Sequence, residues 1–172
     1  MSLQVIFGLL LALWGPTAGC NGASYSSQTV IPQGIPQDLE ITLERTECYG
    51  RCPAYRLTIT ADGKVVFEGR RFVKQEGTTI KSSISREGLK QLMAEFDRVK
   101  FFSLEDDYSN DLNRCPTDNP SAFTSIRING ESKIIKHYHG CREPKFKGLT
   151  ELENKIDEIV NTAQWLPDKK ER

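Results

Sequence analysis

No nucleophile elbow, P-loop, dinucleotide fingerprint or His-Glu-x-x-His pair occurs in this chain, which removes the reaction classes that those spacings announce. Net charge is missing as well. The 23 Lys and Arg residues balance the 23 Asp and Glu residues, so no basic field draws nucleic acid and no acidic one collects cations. Long apolar runs are also lacking. The most apolar stretch, Leu3 to Trp14, has about 12 residues, against roughly 20 for a spanning helix.

What that stretch does have is a short apolar body followed by Gly15-Pro16 and then Thr17-Ala18-Gly19-Cys20. Small residues closing a short apolar run form the layout of an export signal. Gly19-Cys20 resembles the end of a bacterial lipobox, where cleavage precedes an acylated Cys. Two features depart from the usual pattern: Thr17 stands where Leu is common, and no Lys or Arg precedes Leu3. The expectation is that residues 1–19 are a signal peptide. Cys20 then carries the lipid, and the chain is anchored to a membrane rather than spanning it. Asn21 follows Cys20, where an Asp often retains lipoproteins at the inner membrane, so an outer-membrane address is expected in a two-membrane bacterium.

Five cysteines are an odd number for an exported protein. Assigning Cys20 to lipid leaves Cys48, Cys52, Cys115 and Cys141, and an even remainder outside the cytoplasm reads as disulfides. Four cysteines allow three connectivities. Gly50 and Pro53 suit a turn, and a turn brings Cys48 and Cys52 within reach of each other. The expected pairs are therefore Cys48–Cys52 and Cys115–Cys141. The spacing is C-x3-C rather than the C-x-x-C of redox sites, which argues against thiol catalysis.

Residues 20–38 are rich in Ser, Gln, Gly and Pro and read as a tether. Residues 39–166 carry the periodic pattern of one α+β domain, and 167–172 form a polar tail. Leu39, Ile41 and Leu43 alternate with polar residues, as do Tyr55, Leu57 and Ile59, then Val65 and Phe67. Between the last two runs, a three-residue Ala61-Asp62-Gly63 loop with Gly63 left-handed puts Leu57, Ile59, Val65 and Phe67 on one face. A two-residue loop would not. Thr79 to Ser83 is a fourth strand. Ser85 caps a helix bearing Leu89, Leu92, Met93, Phe96 and Val99. Residues 105–120 read as a long polar loop. Phe123–Ile128 and Lys133–His139 are strands joined by Asn129-Gly130, and Leu149, Leu152, Ile156, Ile159 and Val160 mark a second helix. The order ββββαββα predicts a largely antiparallel sheet of about six strands with two helices packed on one face.

His137, His139 and Cys141 fall on one side of an extended chain with Ile135. Two imidazoles and a thiolate can begin a metal site, but an oxidised Cys141 cannot ligate, and two ligands rarely suffice. No cofactor and no stoichiometric metal are therefore expected. Glu105, Asp106, Asp107, Asp111 and Asp118 lack the alternation and Gly of a calcium loop and read as solvated. Arg70, Arg71 and Lys74 around Phe72 read as a solvated strand face. The aromatic residues expected to line a binding surface are Tyr49, Tyr55, Phe72 and Tyr138.

Several of these stretches together resemble a bacterial family of extracytoplasmic domains, the domain of unknown function six-four-three-eight. They are Ile41 to Thr46, Cys48-Tyr49-Gly50-Arg51-Cys52-Pro53-Ala54-Tyr55, and Asp62 to Gly69. Phe101 to Leu104, Thr117-Asp118 with Pro120, and His137-Tyr138-His139-Gly140-Cys141 complete the set. The resemblance implies export and a single compact domain, and it brings no catalytic residues. The sequence thus reads as an envelope binding or structural module held to the membrane through Cys20, with no nucleic-acid partner and no specified protein or glycan partner. The alternative is a metal- or thiol-dependent envelope enzyme using His137, His139 and the cysteines.

Overall fold

The computed structural model describes residues 34–109, 115–141 and 146–168. The N-terminal apolar stretch, Cys20 and the polar segment up to Gln33 lie outside the described residues, as do Asp111, Pro144 and the tail beyond Asp168. The strands are β1 (Glu40–Arg45), β2 (Ala54–Thr60), β3 (Lys64–Arg71), β4 (Thr79–Ser83), β5 (Asp107–Tyr108), β6 (Ser121–Ile128) and β7 (Glu131–Tyr138). Helix α1 (Arg86–Arg98) follows β4, and α2 (Lys147–Val160) follows β7. The architecture is α+β, with one seven-stranded sheet ordered β4-β3-β2-β1-β6-β7-β5. Every pairing is antiparallel except that of β5 with β7.

Local chemistry sets the turns. Ile59 pairs with Val65 and Leu57 with Phe67, the register of a three-residue loop. Gly63 has φ +78° and its N–H bonds to Thr60 O at 2.8 Å, so the left-handed position falls on the one residue without a Cβ penalty. Asn129 and Gly130 both have positive φ, 53° and 80°, as a two-residue type I′ hairpin requires. The Ser85 hydroxyl accepts the Gly88 N–H at 3.1 Å and Glu87 sits in the first turn of α1, favourable for both orphan donors and the helix dipole.

Alternation then sorts the sheet's two faces. Ile41, Leu43, Leu57, Ile59, Val65, Phe67 and Ile135 are buried beneath the helices, whereas Ile134 is 57% exposed on the other face. Leu89, Leu92 and Phe96 of α1 and Leu149, Leu152, Ile156 and Val160 of α2 complete this core. Each such side chain contributes about 1.5–3 kcal/mol by leaving water. Trp165, past α2, packs against Phe67 with ring centroids 4.6 Å apart and the rings tilted by 39°.

The structure differs from the sequence expectation in three places. Asp107 and Tyr108 form a seventh strand inside the stretch read as loop, running parallel to Lys136 and His137. A two-residue strand has too few positions to display a period, and the free edge of β7 supplies its pairing. The ordered fold begins before Leu39: Ile35 is 6% exposed and packs in the core. The Asp38 carboxylate accepts the N–H groups of Asn129 and Gly130 at 2.9 and 2.6 Å, so these residues belong to the domain rather than to a tether. Strand β7 stops at Tyr138, which puts His139 in the turn that follows.

Candidate functional site

One row of side chains crosses the end of the sheet. Arg45 pairs with Tyr55 on β2 and with Ala122 on β6, and Ala122 pairs with His137 on β7. All four belong to the set of positions that alternation turns toward the helices. Ala122 is small, which leaves room between the guanidinium and the imidazole. Helix α2 lies over this row. Glu153 and Asp157 are four residues apart, hence on one helical face, and that face is the buried one.

The two carboxylates divide the row between them. The Tyr55 hydroxyl donates to Asp157 Oδ1 at 2.6 Å, and Arg45 Nε donates to Asp157 Oδ2 at 2.8 Å. Arg45 Nε is also 3.1 Å from the Tyr55 oxygen, and Thr162 donates to Asp157 Oδ1 at 3.0 Å. Glu153 is fully buried, with Oε1 2.8 Å from His137 Nδ1 and Oε2 2.8 Å from His139 Nε2. Arg45 Nη1 stands 3.9 Å from the same Oε2.

Burial opposes the charge on Glu153, but hydrogen bonds from His137 and His139 outweigh it and hold its carboxyl below the usual range. An ionised carboxylate only accepts, so His137 Nδ1 and His139 Nε2 carry the hydrogens in this arrangement. Burial likewise works against the Arg45 cation and is overcome by Asp157, Tyr55 and Glu153, which raise its pKa. Tyr55 is pushed upward, first by burial and then by the Asp157 carboxylate.

A cleft of about 420 Å³ opens beside the row, lined by Arg45, Arg51, Cys52, Pro53, Pro120, Ser121 and His139. Its walls are the two cysteine-bearing loops. Cys48 and Cys52 sit at disulfide distance with Cα atoms 5.7 Å apart, and Cys115 and Cys141 do likewise at 4.9 Å. The Tyr49 N–H bonds to Asp118 O at 3.1 Å, Thr46 N–H to Ser121 O at 2.9 Å, and His139 N–H to Pro120 O at 3.0 Å. These main-chain bonds hold the walls together. Among the described residues, Arg51 has no hydrogen-bonding or carboxylate partner.

The aromatic residues named from the sequence do not form one surface. Tyr49 is 91% exposed on the Cys48–Cys52 turn. Tyr55 and Tyr138 are buried, so neither ring can line a surface. Tyr55 stacks on Phe67, and Tyr138 bonds Pro116 O and the Asn119 N–H. Phe72 lies at the far end of β3 beneath the Arg71 guanidinium, 5.0 Å from ring centroid to Cζ. The basic group around it is partly neutralised: Arg70 pairs with Glu44 and Arg71 with Glu47. Of the acidic stretch, Asp106 pairs with Lys133 and Asp107 with Lys136.

His137 and His139 do converge, with ring centroids 4.5 Å apart. Cys141 is held at disulfide distance by Cys115 and does not join them. Sequence reasoning missed Glu153, Asp157, Arg45 and Arg51. A signal existed for three of them. Glu153 sits within the apolar stripe of α2, between Leu149 and Ile156, Asp157 follows one turn later, and Arg45 continues the inward parity of Ile41 and Leu43.

No curated protein shows a significant match to the chain. One family model does match, spanning residues 39–160, from the first strand to the end of α2. It therefore takes in the whole row Tyr55–Arg45–Ala122–His137, both carboxylates above it and all four domain cysteines. The chain belongs to that family, described as Domain of unknown function (DUF6438).

Proposed function

We infer that this domain is a lipid-anchored envelope binding module and that it takes a small carboxylate-bearing ligand, or the carboxylate end of a chain, in the cleft beside His139. The observation that carries this reading is the exposed Arg51 guanidinium, without a partner among the described residues, on the wall of a cleft of about 420 Å³. That volume suits a small ligand, and the planar guanidinium fork matches a carboxylate in two parallel hydrogen bonds. Arg45 is committed to Asp157 and Glu153, so among the described residues lining the cleft Arg51 is the arginine left for a ligand. Ser121 and His139 add polar atoms on the same wall. The anchoring part of the reading rests on the short apolar run ending in Gly19-Cys20.

The test of binding is calorimetric titration of the full chain with short peptides bearing a free C-terminal carboxylate, using the same peptides amidated as controls. The acid form should bind, and Arg51→Ala should weaken it at least tenfold with an unchanged melting temperature, because Arg51 is exposed. Equal binding of the amidated peptide, or of the Arg51→Ala variant, overturns the ligand assignment. The test of anchoring is Cys20→Ser, which should leave unprocessed precursor or release the chain from membranes. Unchanged processing and retention in that variant refute the anchor.

A further inference from the structure

We propose that His137, His139 and Glu153 form a binding site for a divalent first-row transition metal, of the kind that zinc occupies. The site is separate from the anion reading in that it does not use Arg51, and of its three ligands His139 alone lines the cleft. Two imidazoles and one carboxylate are a recognised zinc donor set that leaves a fourth position open. Here the ligand atoms all lie within 4.8 Å of one another. Two of the three separations that count are already shorter than a metal needs: Glu153 is 2.8 Å from each imidazole nitrogen, whereas ligand atoms around a tetrahedral zinc stand about 3.4 Å apart by ordinary bond lengths. The hydrogens on His137 Nδ1 and His139 Nε2 thus occupy the place that one metal would take. Binding exchanges two N–H···O bonds for three metal bonds, and each imidazole stays neutral as its hydrogen passes through solvent from the nitrogen facing Glu153 to the other ring nitrogen.

Three further features favour a cation there. Leaving the imidazoles aside, one guanidinium, Arg45, faces two carboxylates, Glu153 and Asp157, so among the described residues one negative charge in this buried row is not balanced by a fixed positive one. The ligands also sit on supports that hold their geometry. His137 projects from inside β7, Glu153 from the middle of α2, and Arg45 approaches Glu153 from β1, as an outer-shell group that orients a ligating carboxylate does. An entry path exists as well. His139 lines the cleft and its side chain is 23% exposed, so a metal held there would keep an open coordination position facing that space. It is also the ligand with room to shift as the set closes around an ion.

The experiment is zinc titration of the full chain, purified in detergent and stripped with a chelator, followed calorimetrically and by elemental analysis after dialysis. Cobalt(II) in place of zinc reports coordination number through its ligand-field bands. The expected result is one ion per chain, with the visible bands of a four- or five-coordinate ion and a raised melting temperature. His139→Ala should weaken zinc binding at least tenfold; it also removes one hydrogen bond to buried Glu153, so its unliganded melt is lowered and circular dichroism is recorded to show that the fold survives. Glu153→Gln tests the buried ligand, and because it disturbs the core its circular dichroism is recorded alongside. If that variant unfolds, the His139→Ala comparison alone decides. Absence of saturable zinc uptake by the stripped wild-type chain overturns the proposal. So does stoichiometric uptake that His139→Ala leaves unchanged.

Discussion

Replacing Tyr55 with Phe isolates the hydrogen bonds that tie helix α2 to the sheet. The ring stays in place, 1% exposed and stacked 5.3 Å from Phe67, so the substitution removes one oxygen and leaves the packing intact. That oxygen donates to Asp157 at 2.6 Å and lies 3.1 Å from Arg45 Nε. Bonds to charged partners contribute about 1.5–3 kcal/mol each when lost. The partners are not orphaned, however: Arg45 and Asp157 keep two contacts of 2.8 Å with each other, and Asp157 keeps Thr162. The net cost should therefore be about 2 kcal/mol, or roughly 6–10 °C in melting temperature for a domain of this size. Urea denaturation followed by far-UV circular dichroism measures it, with an unchanged m-value as the sign that the folded and unfolded states are otherwise the same. The alkaline limb supplies a second readout. Burial and Asp157 raise the Tyr55 pKa above its ordinary 10.0. Above that pH the unfolded chain loses the phenolic proton while the folded one keeps it, so stability falls with rising pH. This contribution is fully present below about pH 10 and drains away as pH climbs toward the folded value. The Tyr55→Phe variant should show a flatter alkaline limb. A loss below about 0.5 kcal/mol, or an alkaline slope equal to wild type, would refute the reasoning that this hydroxyl is a buried link between Arg45 and Asp157.

Other perturbations probe the rest of the frame. Non-reducing peptide mapping should find Cys48 linked to Cys52 and Cys115 to Cys141. In the chain-entropy model, removing the longer bridge should cost about 3.5 kcal/mol and removing the shorter about 2, read by denaturant melts of the paired Ser variants. Gly140→Ala should destabilise by about 1–3 kcal/mol, because a Cβ there would meet the Tyr138 ring and stand 2.5 Å from Pro116 O. An unchanged melt would show that this turn yields freely. The Thr124 hydroxyl is fully buried with no hydrogen-bond partner among the described residues. Thr124→Val should therefore raise stability by about 1 kcal/mol or more, and a destabilised variant would reveal a partner for that oxygen.

The elements that local chemistry specifies could be read without the structure. The hairpin register around Ala61-Asp62-Gly63 follows from a single requirement, that Leu57, Ile59, Val65 and Phe67 share a face, which the three-residue loop meets and the two-residue loop does not. Ser85, the Asn129-Gly130 turn and the apolar stripes of both helices are likewise set by residues within a few positions of one another. What tertiary structure alone decided is which distant segments lie side by side. The pairing of β1 with β6 joins Arg45 to Ala122 across the whole of α1 and the loops beyond it, and no local period encodes such a contact. That pairing, with β7 beside β6, is what aligns Tyr55, Arg45 and His137 in one row. Glu153 reads locally as an acidic residue among many, and Asp157 as another. Only the crossing of α2 over that row turns them into the buried partners of two histidines, an arginine and a tyrosine, because burial removes the water that would otherwise satisfy each of these groups separately.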